Sequence, residues 1–164
     1  MKPFFLSFIP LLVAVDAIGV LPMFISFTEG ISDPRRRRRI VVQSVLTAAI
    51  VAVLFLMLGA ALLRVLGITV EDFMIAGGLL LFVISLRDLI SSDKTGLQID
   101  PETVGYVPIG VPLITGPAVL TTLLLLQDQY GMAAVLPAVV LNIFFAGLVF
   151  WFADPITRVL GSAG

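Results

Sequence analysis

Five stretches of the chain, about 4 to 27, 40 to 62, 73 to 90, 106 to 126 and 132 to 152, are apolar almost without interruption. Each approaches the roughly 20 residues that an α-helix needs to cross the hydrocarbon of a bilayer. Hydrophobic residues make up 59% of the 164 and charged ones 13%, with a mean hydropathy of +1.14. An ordinary soluble domain carries about 25% charge, and one core of this size could not hide the excess apolar surface. In hydrocarbon every backbone polar group needs an internal partner. The fold class expected is therefore an all-α membrane protein with five transmembrane helices. The chain has no cysteine and no histidine, which removes disulfide frameworks, thiolate chemistry, the commonest metal ligand and the usual general base. A net charge of -1 offers nothing to a polyanion such as nucleic acid. Neither a cofactor nor a metal site is expected.

Helix starts are marked in three places. Asp33-Pro34 and Asp100-Pro101 each offer an N-cap followed by proline at the first helical position, and Thr69 precedes Asp72 in a capping-box spacing. The first segment reads as a span rather than a signal peptide, because Pro10 and Asp16 interrupt it and no small-residue cleavage pattern follows. Arg35 to Arg39 form the strongest charge feature, read as a solvated topology signal rather than a specific site for anionic lipid. With Arg87, Lys94 and Arg158 they put eight of the ten basic residues on one side, leaving Lys2 and Arg64 on the other. By the positive-inside rule the N-terminus lies outside and the arginine loop is cytoplasmic.

The first span contains what a membrane helix should avoid: Asp16, Gly19 and Pro22 within "VDAIGVLP". An ionised carboxylate at the centre of a membrane helix costs roughly 2.5 to 3.5 kcal/mol, so such a residue faces protein or a cavity and is usually functional. Arg87, at the end of the third stretch, is the one basic residue inside these spans, and none lies near the middle of a span to pair with Asp16. Its partner is a proton, a cation, a substrate amine, or backbone amides freed where the helix breaks; in the last case Asp16 merely caps a half-helix beginning near Gly19. A second Pro- and Gly-interrupted segment, "VPIGVPLITGPAVLTT", brings Thr115, Gly116 and Pro117 together. Freed amides attract anions and freed carbonyls attract cations, so paired breaks suit a zwitterion. Asp16, Gly19, Pro22, Thr115, Gly116 and Pro117 are the candidate substrate- and ion-binding residues. The remaining hydroxyls at depth, at Ser44, Thr47, Thr121 and Thr122, and the Asn142 amide are expected to pack, and Gly77-Gly78 is expected to admit a neighbouring helix.

The tetrapeptide "RVLG" occurs at Arg64 to Gly67 and again at Arg158 to Gly161, each time after the second apolar segment of a group that opens with a broken one. This spacing predicts an inverted-topology repeat of three plus two helices. Residues 1–90 would form the first repeat, 91–105 a cytoplasmic loop and 106–164 the second, which ends without a counterpart of the third helix. The sequence stretches "DAIGVLPMF", "FMIAGGLLLF" and "PLITGPAVLTT", in that order, resemble the MarC family of prokaryotic membrane proteins over essentially the whole chain. The resemblance implies six helices, the cytoplasmic (inner) membrane, and kinship with transporters of amino acids and other small solutes. The chain departs from the family pattern at Ala17, where proline commonly follows the aspartate, at Ala118, where "GPG" is common, and in the absent last helix. Self-association into a homo-oligomer is one way to cover the side a sixth helix would occupy.

The function expected is secondary transport of a small neutral solute, foremost a small amino acid, coupled to proton or sodium. The partners are then that solute, the coupling cation and the lipid bilayer. The alternative is a passive channel or a non-transporting membrane subunit. An enzyme is not expected, since one aspartate and a few hydroxyls do not make a catalytic constellation. The charge bias yields a direct test. A cysteine introduced in the 28 to 39 loop should resist an impermeant thiol reagent in intact cells, whereas one beside Lys2 should react; the opposite labelling would reverse the topology.

Overall fold

The computed structural model describes residues 1–31, 33–90, 103–153 and 155–156. Among them the chain is helical, with no strand. The elements are α1 (Lys2–Val15), α2 (Ala17–Phe27), α3 (Pro34–Leu66), α4 (Val70–Ile90), an irregular segment (Gly105–Ile114), α5 (Pro117–Tyr130) and α6 (Met132–Trp151). Among the described residues three stretches are long and apolar enough to cross a bilayer: α1 with α2 as Lys2–Phe27, α3, and α6. A fourth arises if the irregular segment and α5, bent by 52°, form one span. The second "RVLG", the Asp100-Pro101 start and most of the 91–105 loop lie outside the described residues.

Local chemistry accounts for the helix boundaries. The Asp33 carboxylate accepts from the Arg35 amide at 2.9 Å and Pro34 opens α3, as the sequence predicts. The arginine run is consequently not a loop but the first two turns of a 33-residue helix. At about 1.5 Å per residue α3 is roughly 50 Å long, longer than the hydrocarbon is thick. It ends at Gly67, which takes φ 70 as a left-handed cap. The predicted capping box opens α4: the Thr69 amide and hydroxyl both donate to Asp72 Oδ2 at 2.9 Å, and the Asp72 amide donates to Thr69 Oγ1 at 3.2 Å. The bonds from Thr69, its amide first, hold the Asp72 carboxyl below its ordinary value.

Helix α3 is the spine. Ile40, Ser44, Ala48, Ala52, Leu56, Gly59 and Leu63 are buried along one face at the spacing of successive helical turns. The small residues in that stripe let other backbones come close, as membrane packing demands in the absence of a hydrophobic drive between helices. On one flank lies the irregular segment: a Cβ at Gly105 would stand 2.8 Å from the Gln43 Cβ, and one at Gly110 would stand 2.9 Å from the Thr47 Cβ and 3.2 Å from the Ser44 carbonyl oxygen. On the other lies α6, whose Gly147 has Val45 where its Cβ would be, at 2.5 Å. By contrast, no described residue stands within 4 Å of a Cβ at Gly78, so the close approach expected at Gly77-Gly78 is not seen at Gly78 among the described residues.

These contacts fix chain directions. Gly105 meets Gln43, Gly110 meets Thr47, Thr115 meets Ala48, and Gly59 faces Leu124, so the irregular segment and α5 run parallel to α3. Phe8 meets Asn142 and the ring of Phe24 stacks on Phe150 at 4.6 Å, so α1 and α2 run parallel to α6. One end of the molecule carries Arg35 to Arg39. The other carries a cleft of about 460 Å³ lined by Glu71, Gln127 and Asp128.

The packing predicts opposite outcomes for two glycines. Gly110→Val should destabilise the chain by about 1 to 3 kcal/mol through overpacking against α3, read as a fall in Tm in detergent. Gly78→Ala, in an open helical position, should leave Tm unchanged or raise it slightly.

Candidate functional site

The break in the first span falls on Asp16 itself, three residues earlier than the sequence suggests. Asp16 takes φ 42 and ψ 53, the one left-handed non-glycine residue among those described. Aspartate is among the few residues that tolerate this conformation, because its short polar side chain can bond locally. It closes α1 and opens α2 at once: its amide donates to the Leu12 carbonyl at 3.2 Å, its carbonyl accepts from Val20 at 3.0 Å, and its Oδ1 accepts from the Gly19 amide at 3.1 Å. Gly19 is obligatory in this arrangement, since a Cβ there would collide with the Asp16 carboxylate. The Asp-x-x-Gly spacing is thus a cap and the clearance the cap requires.

The first four amides of a helix have no intrahelical acceptor beyond the capping residue. Asp16 serves those of Gly19 and Val20, leaving Ala17 and Ile18 as the donors that the turn does not satisfy. Pro22 lies one turn inside α2 and has no amide, so the Ile18 carbonyl loses its helical donor. Asp16, Gly19 and Pro22 are all exposed on the surface of these helices. An exposed carboxylate near the middle of a 26-residue apolar span requires water or further protein against it.

The second break is built without charge. Val107 and Val111, each preceding a proline, are extended, and the Val107-Pro108 and Val111-Pro112 peptides are cis. Helical bonding gives way to longer reaches, with the Ile109 amide donating to Val104 and the Thr115 amide to Gly110. Gly116 is extended and caps α5 through its carbonyl, which accepts from Leu120 at 3.0 Å. A Cβ at Gly116 would stand 2.5 Å from the Pro112 carbonyl oxygen, so glycine is needed to let the chain fold back there. Pro117 is the first residue of α5, where its missing amide costs nothing. Ala118 and Val119 are left as the free donors of the first turn.

Thr115 is buried, and its hydroxyl donates to the Ala48 carbonyl of α3 at 3.1 Å. It fastens the break to the spine, and its donor is taken up in doing so. Thr121 and Thr122 bond carbonyls of their own helix, and Ser44 bonds Ile40, as expected for hydroxyls in membrane helices. Asn142 does more than pack: fully buried on α6, it donates to the Phe8 carbonyl of α1 at 3.1 Å and to Ala138 at 2.9 Å, while its Oδ1 finds no partner among the described residues. The two broken elements also pack on each other. α1 touches α5, and α2 touches the irregular segment, so the first half of each meets the second half of the other.

The whole chain, residues 1–164, matches the family model for MarC family integral membrane proteins. A UPF0056 membrane protein of Buchnera aphidicola subsp. Acyrthosiphon pisum is 31% identical over 157 residues, covering 94% of this chain and 80% of that protein. A UPF0056 membrane protein of Archaeoglobus fulgidus is 31% identical over 175 residues, covering 98% and 80%. The UPF0056 inner membrane protein YhgN of Escherichia coli is 37% identical over 123 residues, covering 73% of this chain and 61% of its own length. No solved structure matches. An all-helical chain with membrane-length apolar helices, matched end to end by the family model, belongs to the MarC family of integral membrane proteins.

Proposed function

We propose that the chain is a secondary transporter of a small neutral solute, foremost a small amino acid, coupled to proton or sodium and working in a prokaryotic inner membrane. The observation that carries this reading is the exposed Asp16 carboxylate at a left-handed break midway along an apolar span. Its hydrogen bond to Gly19 engages Oδ1, and the exposed carboxylate keeps acceptor capacity and a formal negative charge for a cation. That is a cation-attracting spot. The N-terminus of α5, with the free amides of Ala118 and Val119, is an anion-attracting one. A zwitterion satisfies both, and the small residues at the breaks, Ala17, Gly19, Gly116 and Ala118, with no aromatic cluster beside them, favour a small solute over a bulky one. As an inner-membrane relative, YhgN supports the membrane assigned here.

The repeat belongs to the same proposal. Exchanging α1 for the irregular segment, α2 for α5 and α3 for α6 maps most of the observed helix contacts onto one another, and the two broken elements run in opposite directions. Inverted repeats with discontinuous helices build midplane sites and let one half rock against the other. The arginine end would then be cytoplasmic and Lys2 outside.

Uptake into proteoliposomes tests the proposal over a panel of small neutral amino acids with imposed proton or sodium gradients. Saturable, gradient-driven uptake is expected; linear, gradient-independent flux would make the chain a channel. Asp16→Asn keeps a capping acceptor for Gly19 and an αL-tolerant residue, so it should fold normally yet lose gradient-driven uptake by about tenfold or more, a loss equivalent to one unpaired charge interaction. Normal uptake by that variant would reduce Asp16 to a helix cap.

A further inference from the structure

The five consecutive arginines do two different jobs, and the division follows from helix geometry. At about 100° per residue, Arg35, Arg36 and Arg39 fall within one 100° sector of α3 together with Gln43, while Arg37 and Arg38 point about 200° and 300° away from Arg35. The second pair is used by the fold. Arg37 donates through Nε and Nη2 to Thr28 Oγ1, at 3.4 and 3.3 Å, at the end of α2. Arg38 lies 4.9 Å over the ring of Trp151 at the end of α6.

Arg35, Arg36 and Arg39 line a cleft of about 610 Å³, with Gln43 and Tyr106 on its wall. All three arginines are exposed, and among the described residues none makes an ion pair or a side-chain hydrogen bond. The one carboxylate among the described lining residues, Asp33, gives its Oδ1 to the Arg35 amide as the helix cap. Gln43 Nε2 donates to the Tyr106 hydroxyl at 3.0 Å, which fixes the phenol and leaves its proton for an outside acceptor. Three guanidinium forks and one oriented phenol on an open cleft outnumber the single carboxylate among its described lining residues.

We propose that this cleft binds a phosphate-bearing anion. Guanidinium forks match phosphate oxygens in geometry as well as charge, and a cleft of this size falls within the roughly 300 to 1,000 Å³ of small-ligand sites. The cleft stands at the level of Tyr106 and Trp151, the residue types enriched where membrane meets water, so an anionic lipid headgroup can reach it from the side and a soluble phosphate compound from the aqueous face. The site is independent of the transport reading: it rests on one face of α3 and the wall opposite.

The purified full chain in zwitterionic detergent is titrated with short-chain phosphatidylglycerol, short-chain phosphatidylcholine and inorganic phosphate, with Kd read by calorimetry. Saturable binding of phosphatidylglycerol but not of phosphatidylcholine assigns the site to lipid, and binding of inorganic phosphate that competes with it assigns it to the free anion; either upholds the proposal if affinity falls at least tenfold in the Arg35→Gln, Arg36→Gln, Arg39→Gln triple variant. Arg64→Gln, a charge change at the other end of α3, should bind as the unaltered chain does. If the triple variant does not run as a single species on gel filtration, Arg36→Gln and Tyr106→Phe are read individually, and unchanged affinity in both overturns the site. Absence of binding to any of the three ligands overturns it as well, as does equal binding by the triple variant.

Discussion

A peptide group in hydrocarbon must find its hydrogen-bond partner within the protein, and the two interruptions in this chain meet that demand by different chemistry. At the first, one residue does the work. Asp16 supplies an amide, a carbonyl and a carboxylate to three different neighbours, and Gly19 gives up its side chain so that the carboxylate fits. At the second, the chain needs ten residues, four of them glycine or proline, to turn between directions. The long α3 absorbs the irregular backbone by offering a small-residue stripe on which Gly105, Gly110 and Thr115 come down.

This contrast has a functional meaning. A break satisfied entirely by packing is a kink, while one that leaves donors and a carboxylate open to the outside of the helices is, on the proposed function, a place for a ligand. Both breaks leave two first-turn amides unserved, but only the first presents a formal charge. The charged break runs with α6, and the uncharged one runs with α3. The helices that hold them touch in a crosswise manner, so that a solute between the breaks would be in contact with both halves of the chain. Motion of one half relative to the other would then change which side of the membrane reaches that solute.

Much of this was legible in the sequence because it depends on residue types with few conformational choices. Asp33-Pro34 and Thr69 with Asp72 marked helix starts through local bonding, and those bonds are present. The existence of two breaks was legible from glycine and proline. The residue at which the first one falls was not: Gly19 and Pro22 are accommodated within α2, and the left-handed turn is taken by Asp16. Composition signals flexibility, whereas the cap geometry decides where it is used. The position of Thr115 at the break was legible, but the acceptor of its hydroxyl, the Ala48 carbonyl, is 67 residues away in sequence and could not be inferred from spacing. The arginine run was misread as a loop for a related reason. Its bulk charge outweighed the cap that begins a helix under it, and the two faces it presents emerge only once the residues are wound at 3.6 per turn.

The central claim is that both breaks open onto water at membrane depth. The chain contains no cysteine, so a single cysteine introduced at Ile18 or at Ala118 reports on one break alone, and one at Ile50, exposed midway along the unbroken α3, reports on lipid. In membranes treated with a small, water-soluble methanethiosulfonate, the cysteines at 18 and 118 should be modified rapidly, and the one at 50 should not. If positions 18 and 118 prove as unreactive as position 50, the breaks are sealed kinks in lipid and the account of a solute site between them is contradicted.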